Sequence, residues 1–449
     1  MEATQTTAEA SVNINIFPDG KYDLIIIAPK EFTGPLTPLK EHKNKTGMIT
    51  KIITLEDIYQ NFQGRDEAEM IKKCLAAYKK DSDIKYAMLV GDADKFPIRY
   101  TKTDRKTTEA YDTAFFPGDV YYADLFKSDG SFEDWDNNKN GYFGELGGES
   151  TTGPLNADEV DMKLDISVGR IPVSTSDEVR TYVSKVINYE LVANGASWSK
   201  NVMLVATTEY MQNACTYQDD IAANYLKNMN IYKLYSRNNP CEKTSEPTPA
   251  TITEYLNKGV GFASYIGHGN SEEWQGYYNI KNLYELTNSE MLPIIFAAAC
   301  GTGEFATLPP YGAYTDINGN YHKGTSQGEL FEILPQQPAC IQAENNVDGF
   351  AETITVKIPT GAIGYIGCIT GSQEWEVDLN KYFFEALTNN QNTLGDMWNY
   401  MLRKYYETRT FPKNINIPDW TIVAEYHQPW KFFLFGDPSL RVGGIEKKP

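Results

Sequence analysis

Two polar residues of the sequence stand directly behind apolar runs and among glycines. His268 ends the segment "VGFASYIGH", and Cys300 ends the segment "LPIIFAAAC". Their separation of 32 residues (300 minus 268) fits a strand, a helix and an adjacent parallel strand, so we expect both side chains at one edge of a sheet. A thiolate there can act as a nucleophile while the imidazole acts as general base and acid. The pattern therefore predicts thiol chemistry.

The competing interpretation is structural. Cys300 would be a buried residue that behaves as a small apolar side chain, and His268 would form hydrogen bonds in a turn. Cysteines are among the most frequently buried residues, which favours this interpretation for an arbitrary pair. Here glycines flank both residues and would let a backbone or a substrate approach closely. We therefore favour the catalytic interpretation.

The composition restricts the partners of the protein. The 449 residues include 41 basic and 60 acidic side chains, a formal charge of -19, so neither a nucleic acid nor an anionic membrane is expected as a partner. No run of 18 apolar residues is present, so no membrane span is predicted. The polar first residues lack the regions of a signal peptide, and we expect that one has been removed. The six cysteines have no zinc-site spacing and leave one or two disulfides open.

Apolar strands alternate with amphipathic helices along most of the chain, which predicts an α/β fold with mostly parallel sheets. After a polar extension over residues 1–21 the pattern begins with "YDLIIIAP", and it ends with "KFFLFGDPSLRV", a predicted strand and turn. The segment "ANGASWSK" indicates two subdomains, 22–195 and 196–445. A stretch with little periodicity, about 306–348, is predicted as an insertion loop in the second subdomain. The strands could form two sheets or one long sheet.

The segments around the two candidate residues, "GHGNSEEW" and "LTNSEMLPIIFAAACGTGEF", resemble the histidine and cysteine motifs of the gingipain family of cysteine peptidases. Further segments resemble landmarks of that family in the same order, among them "YDLIIIAP", "AMLVGDADKFP", "DISVGRIPV" and "FLFGDPSLRV". The resemblance extends over about residues 22–442. It implies a caspase-like α/β/α sandwich of two subdomains, with the Cys-His pair in the second.

The resemblance also implies roles for individual residues. Cys300 would be the nucleophile and His268 its partner, and the backbone amides of Gly269 and Cys300 would donate hydrogen bonds to the oxyanion. Members of the family place an acidic residue after the first strand of the second subdomain, and Glu209 stands at the matching position in "NVMLVATTEY". The alternative for Glu209 is an ordinary exposed surface glutamate.

Gingipain-type peptidases cleave after arginine or lysine, with a carboxylate in the primary pocket and a tryptophan beside it. The segment "GSQEW" places Glu374 directly before Trp375, where lysine-preferring members carry an acid, so the resemblance favours lysine slightly over arginine. The acid of arginine-preferring members would fall near Cys215 or Asp219. The insertion at about 306–348 departs from the family pattern and could cover the pocket.

A second candidate site is the acidic loop "DWDNNKNGYFGE". Asp136, Asn138 and Asn140 alternate as oxygen ligands do in the first half of a calcium-binding loop, and Glu145 is a further candidate ligand. Position 12 of an EF-hand would be Gly147 rather than glutamate, and an Asx-rich turn without a metal explains the pattern equally well. We predict no cofactor for catalysis, and calcium bound here would be structural.

Together these features predict a secreted or cell-surface cysteine endopeptidase that acts on proteins or peptides after a basic residue. Two alternatives stay open. The first is a catalytically weak adhesion or binding module that keeps the fold and the calcium loop. The second is a zymogen in which the leader or the insertion blocks the pocket until it is cleaved.

Overall fold

The computed structural model describes residues 17–105, 112–147, 152–208, 211–342, 348–417 and 419–446. Its strands are β1 (Leu24–Ala28), β2 (Thr50–Thr54), β3 (Tyr86–Val90), β4 (Tyr100–Arg105), β5 (Asp112–Pro117), β6 (Gly153–Pro154), β7 (Ser167–Ile171), β8 (Asn201–Ala206), β9 (Asn230–Tyr235), β10 (Phe262–Ile266), β11 (Gly269–Asn270), β12 (Glu273–Trp274), β13 (Tyr278–Asn279), β14 (Ile294–Ala298), β15 (Tyr314–Thr315), β16 (Tyr321–His322), β17 (Gly364–Cys368), β18 (Asn414–Ile415) and β19 (Phe432–Phe435).

The α-helices of the described residues are α1 (Thr33–Lys45), α2 (Leu55–Asn61), α3 (Glu67–Ser82), α4 (Val120–Ala123), α5 (Ser176–Val192), α6 (Ala214–Tyr225), α7 (Pro249–Lys258), α8 (Ile280–Leu283), α9 (Phe350–Glu352), α10 (Glu376–Glu385), α11 (Leu394–Glu407) and α12 (Trp420–His427). Within these described ranges, no helix combines the length and the apolar character that crossing a membrane requires.

Ten of the strands form one sheet, in the order β2-β1-β3-β7-β19-β17-β14-β10-β8-β9. All neighbours are parallel except β19 and β17, which are antiparallel. The sheet therefore consists of two parallel halves that run in opposite directions. Strand β19, the last one along the described chain, lies in the middle of the sheet and joins the halves. The strands thus form one long sheet, and the predicted subdomain boundary near residue 196 falls between strands of that sheet.

The sheet is buried on both faces, as the continuous apolar sequences of its strands predict. Along β14, Ile294, Phe296 and Ala298 pack in one core, whereas Ile295 and Ala297 pack in another. Since successive residues of a strand point to opposite faces, the two cores lie on the two sides of the sheet. Helices complete the layers, so the protein is an α/β/α sandwich with a mostly parallel sheet, as predicted.

Helix α5 begins at the capping box that its sequence predicts. The hydroxyl of Thr175 accepts a hydrogen bond from the N–H of Glu178 (3.3 Å), and the Glu178 carboxylate accepts one from the N–H of Thr175 (3.2 Å). Both groups thereby satisfy backbone donors that a helix start leaves unpaired. The apolar residues Val179, Val183 and Val186 follow at helical spacing and are buried. Local sequence thus determines both the start and the orientation of this helix.

The segment "GFAETITVKI", whose composition predicts one helix, forms the short α9 and then a π-helical turn at Thr353–Lys357. The buried ammonium group of Lys185 accounts for the difference. It donates hydrogen bonds to the carbonyl oxygens of Thr355 and Thr360, both at 2.7 Å, and approaches two further carbonyls at 3.2 and 3.3 Å. A helix leaves its last four carbonyls without an internal partner, so the lysine supplies donors to carbonyls at the end of this segment.

The predicted insertion packs against the N-terminal half of the chain over its described residues, 306–342 and 348. Strands β15 and β16 form a small hairpin in it. Its ends are attached by backbone hydrogen bonds from Phe115 N–H to Pro309 O (2.8 Å) and from Ile98 N–H to Cys340 O (2.7 Å). The described insertion is therefore an ordered part of the fold.

Candidate active site

His268 and Cys300 lie in register at the carboxyl edge of the second half of the sheet. Strands β10 and β14 are parallel neighbours, and Ile266 is paired with Ala298. His268 and Cys300 each follow this pair by two residues. The Gly267 N–H also donates to Ala298 O (3.2 Å), which continues the pairing past the end of β10. The structure thus brings the two residues to one edge, where parallel sheets bind their ligands.

Gly269 lets the turn after the histidine touch the turn that carries the cysteine. A Cβ atom at Gly269 would lie 2.8 Å from the carbonyl oxygen of Cys300 and 2.6 Å from Cγ2 of Thr302. Such distances are shorter than carbon atoms tolerate, so this position requires glycine. Gly301 has a φ of +64°, a left-handed conformation that also favours glycine. The glycines that flank the candidate pair therefore have a steric function.

The backbone carbonyl of His268 is held in place by a hydrogen bond from a tyrosine. The hydroxyl of Tyr265 donates to His268 O (2.7 Å), and the N–H of Gln275 donates to the same oxygen (3.0 Å). The Tyr265 ring stacks on buried Trp274 with 4.6 Å between ring centroids. The imidazole itself belongs to an exposed residue. A fixed backbone with an exposed ring suits a group that must meet a substrate.

The sulfur of Cys300 is half-buried and contacts Ser372 from the loop after β17. The Ser372 N–H lies 3.3 Å from Sγ and the Ser372 hydroxyl oxygen lies 3.5 Å from it, while the thiol faces Ser372 O at 3.6 Å. Neither the composition nor the spacing of "GSQEW" indicates this contact, because a backbone N–H has no sequence signature. Ser372 is a site residue that sequence reasoning missed.

Glu374 and Trp375 follow on the same loop. Glu374 is exposed, and Trp375 is partly buried against the core. At the two positions near which the acid of arginine-preferring members would fall, Cys215 forms a disulfide with Cys241, and Asp219 accepts a hydrogen bond from Tyr235 (2.7 Å). Asp219 also forms an ion pair with Lys233 at 2.9 Å. Glu374 is thus more exposed than Asp219. Glu209 lies outside the described residues.

The four candidate calcium ligands lie together. One oxygen of Glu145 accepts hydrogen bonds from the side-chain amides of Asn138 (2.6 Å) and Asn140 (2.7 Å), and its other oxygen accepts from Lys102 (2.8 Å). Asp136 forms an ion pair with Arg65 at 2.6 Å. These oxygens are of the type that calcium prefers. Two cationic side chains, Lys102 and Arg65, already pair with these carboxylates, so a bound ion would share them with existing ion pairs.

A second carboxylate cluster lies beside the catalytic turns. Oxygens of Asp92, Asp348 and Glu352 all lie within 4.8 Å of one another and could hold a metal ion. Burial raises the pKa of Glu352 well above its usual value, and Asp92 raises it further. Lys357 approaches the cluster at 3.0 Å from Asp348. The sequence signal for this cluster is weak: Asp92 follows the apolar strand β3 by two residues.

Helix α9 connects this cluster to the catalytic turns. The N–H of Phe350 donates to Ser271 O (2.7 Å), close behind His268 in the chain, and the N–H of Ala351 donates to Thr302 O (3.2 Å), close behind Cys300. Both turns are thus attached to the same helix. This attachment fixes the distance between them.

A thiol and an imidazole in register at the carboxyl edge of a parallel sheet, inside an α/β/α sandwich, define the class of thiol-dependent hydrolases. Residues 17–443 match the profile of peptidase family C25. The chain belongs to this family, which places it in the class of cysteine-type peptidases.

Several known proteins are similar to this chain. The chain is 24% identical over 286 residues to gingipain R2 of Porphyromonas gingivalis, which covers 63% of this chain and 32% of the relative. It spans about a third of the length of that curated relative. A crystal structure of the Arg-specific cysteine proteinase gingipain R superposes with a TM-score of 0.60 at 20% identity, over 94% of this chain and 78% of the other. A second protease structure gives a TM-score of 0.58 at 16% identity, over 95% and 79% of the two chains.

Proposed function

We propose that the protein is an endopeptidase that hydrolyses peptide bonds after a basic residue, with lysine favoured slightly over arginine. The observation that carries the proposal is the register of His268 and Cys300, each two residues past the paired Ile266 and Ala298. Membership of a peptidase family supplies the reaction type. Protein or peptide substrates follow from it.

In the proposed mechanism the Cys300 thiolate attacks the carbonyl carbon of the scissile bond. The backbone N–H groups of Gly269 and Cys300 donate hydrogen bonds to the oxyanion, and each such donor contributes about 3 kcal/mol to transition-state stabilisation in comparable enzymes. His268 protonates the leaving amine, which leaves a thioester on Cys300. Water, deprotonated by His268, then hydrolyses the thioester and restores the thiol.

The preference for a basic residue is supported by the loop that holds Ser372 against the sulfur. Glu374 follows Ser372 by two residues, and its exposed carboxylate can pair with a substrate ammonium or guanidinium group. The neighbouring Trp375 offers an aromatic wall for the aliphatic part of a lysine or an arginine. The formal charge of -19 adds a long-range attraction for cationic peptides.

The test uses matched fluorogenic peptides that end in lysine, arginine, aspartate or leucine. We expect cleavage after the basic residues, no cleavage by Cys300→Ala, and a weaker rate for Glu374→Gln on basic peptides. Glu290→Gln, which also removes one exposed carboxylate, is the matched control and should behave as wild type. A wild-type protein that cleaves none of the peptides, even after limited proteolysis, would favour the binding module over the enzyme.

We also propose that the protein acts outside the cytoplasm. The disulfide between Cys215 and Cys241 supports this location, since such bonds persist mainly in oxidising compartments. The protein should be recovered from the extracellular or surface fraction of its source with this disulfide formed. Recovery from the cytoplasm with six free thiols would contradict the proposal.

We propose further that calcium, when bound by Asp136, Asn138, Asn140 and Glu145, stabilises the fold rather than taking part in catalysis. The proposal is supported by the proximity of the four side chains: Asn138 and Asn140 contact the Glu145 carboxylate, and the Asn140 N–H donates to Asp136. A rise in melting temperature with calcium that is lost in Asp136→Asn is the expected result. Equal melting temperatures in calcium and in chelator would leave the Asx-rich turn as the explanation.

A further inference from the structure

The sulfur of Cys300 has two potential hydrogen-bond donors from one residue. The backbone N–H of Ser372 lies 3.3 Å from Sγ, and the Ser372 hydroxyl oxygen lies 3.5 Å from it. Ser372 is 7% exposed, so little water competes for these groups. A thiolate accepts both hydrogen bonds, whereas a neutral thiol is a weak acceptor and can itself donate only one, to Ser372 O. Both groups of Ser372 are therefore placed to donate to a thiolate at Cys300.

The residues on both sides of Ser372 are held by Lys431. The Lys431 ammonium donates hydrogen bonds to Gly371 O (3.2 Å) and to Oε1 of Gln373 (3.1 Å). Gln428, three residues earlier, accepts a hydrogen bond from the Gln373 N–H (3.2 Å). Lys431 is 8% exposed. Its hydrogen bonds therefore lie largely out of water, and the short 3-10 turn Gln428–Lys431 holds the loop through them.

The loop is also attached to the cysteine turn itself. The N–H of Gly301 donates to Thr370 O (2.8 Å), and the N–H of Ile369 donates to Lys431 O (2.8 Å). Within the chain from Ile369 to Gln373, successive residues form hydrogen bonds in turn with the 3-10 turn and with the turn that carries Cys300. A shift of Lys431 would move Ser372 relative to the sulfur.

We propose that Ser372 is a further catalytic residue, which stabilises the Cys300 thiolate through its N–H and hydroxyl, and that Lys431 is the positioning residue that holds Ser372 in place. This proposal rests on the function proposed above for Cys300. It assigns a role to the loop before Glu374 that is separate from substrate specificity.

Other titratable groups lie near the sulfur. They are His268 at the same sheet edge, Glu374 on the loop, and Lys431, Glu376 and Cys368 on the elements packed behind it. Burial raises the pKa of the Cys368 thiol, against an opposing effect of the Lys431 charge. Cys368 therefore stays protonated between pH 5 and 9. Alkylation between pH 5 and 9 can thus be attributed to Cys300 once peptide mapping has separated it from the partly exposed Cys340.

The experiment measures the rate of Cys300 alkylation by iodoacetamide against pH, by peptide mapping of the full chain. We expect Ser372→Ala, which keeps the backbone N–H and removes the hydroxyl, to raise the midpoint by about half to one pH unit. Ser372→Thr, which keeps a hydroxyl, should restore the wild-type midpoint. At pH values below the alkylation midpoint, kcat/KM of Ser372→Ala should be about threefold to tenfold lower than that of wild type. At pH values above the midpoint the two should agree.

Lys431→Met should shift the midpoint in the same direction, and Lys227→Met, at an exposed surface lysine, should not. Gln373→Met removes only one acceptor of Lys431, so it tests the positioning role if Lys431→Met does not fold. An unchanged alkylation midpoint in folded Ser372→Ala would overturn the role of Ser372, and an unchanged midpoint in both Lys431→Met and Gln373→Met would overturn the positioning role. Because alkylation requires no peptide substrate, failure of the proposed endopeptidase function would be recognised separately, by the absence of cleavage in wild type.

Discussion

The ammonium nitrogen of Lys43 lies 2.7 Å from a carboxylate oxygen of Asp437, and both side chains are almost fully buried. Lys43 belongs to α1, whereas Asp437 follows β19, so the pair joins the first helix to the turn after the last strand. Glu190 on α5 lies 2.7 Å from the same nitrogen. The turn predicted in "GDPSL" is therefore also one side of a buried charge cluster.

Replacing Asp437 by asparagine should destabilise the protein by about 3 kcal/mol, because removal of one partner leaves a buried charge poorly compensated. Glu190 remains, which keeps the loss at the lower end of the range for buried pairs. The measurement is the free energy of unfolding in urea. Asp83→Asn is the matched control: Asp83 pairs with Lys79 on the surface, where such pairs contribute 1 kcal/mol or less, as a rough guide. Equal losses in the two variants would contradict the prediction.

The same cluster predicts acid sensitivity. Burial alone would raise the pKa of Glu190, but the Lys43 charge and hydrogen bonds from His42 and Lys43 lower it to about 2, from an ordinary value of 4.5. Because the folded-state pKa is the lower one, the stabilisation is present above about pH 4.5 and is lost as the pH falls towards 2. Its size is on the order of 3 kcal/mol.

Glu190→Gln lacks this titration. Between pH 5 and pH 2.5 its free energy of unfolding should therefore decrease less than that of wild type. The difference in stability between the two proteins should thus become smaller in acid. Urea denaturation at several pH values tests this. Parallel curves for the two proteins would show that Glu190 has an ordinary pKa.

Much of the fold could be predicted because its signals are local. Most strands of the ten-stranded sheet are apolar runs, and Thr175 and Glu178 determine where α5 begins. The position of β19 could not be predicted, because the apolar pattern of "FFLF" shows burial without showing between which strands it lies. The π-helical turn depends on Lys185, which is more than 160 residues away in the chain. Long-range partners decide what local patterns leave open.

The candidate site also contains residues that local sequence indicates and residues that depend on distant partners. Cys300 and His268 could be found from their glycine contexts and from a spacing that parallel strands impose. Ser372 could not, because its position depends on Lys431, which is 59 residues further along (431 minus 372), and on a backbone donor. Glu209 and the lysine preference stay predictions.

Gly269→Ala should reduce peptidase activity at least tenfold with a modest change in global stability. The new Cβ would lie 2.8 Å from Cys300 O and 2.6 Å from Thr302, so the histidine turn must move away from the cysteine turn. Gly34→Ala, in α1 with no atom within 4 Å of the added Cβ, should retain full activity. Steady-state kinetics and urea denaturation of both variants provide the test. Wild-type kinetics for Gly269→Ala would contradict the close contact.

The disulfide between Cys215 and Cys241 should contribute about 3 kcal/mol, since it closes a loop of 26 residues in the unfolded chain. The double variant Cys215→Ala, Cys241→Ala should lose this amount, and reduction should bring wild type to the same level. Cys340→Ser, at a free cysteine, is the control. The prediction fails if reductant leaves the unfolding curve of wild type unchanged.

The central place of β19 has a consequence for synthesis of the protein. Ribosomes deliver residues in order, so the strands on both sides of β19 emerge before the segment that must lie between them. The turn at Gln428–Lys431, which holds the Ser372 loop, emerges at the same late stage. A nascent chain that already carries His268 and Cys300 would therefore lack both the joined sheet and the turn that holds the Ser372 loop. Such an order would keep a protease inactive while the cell is still translating it.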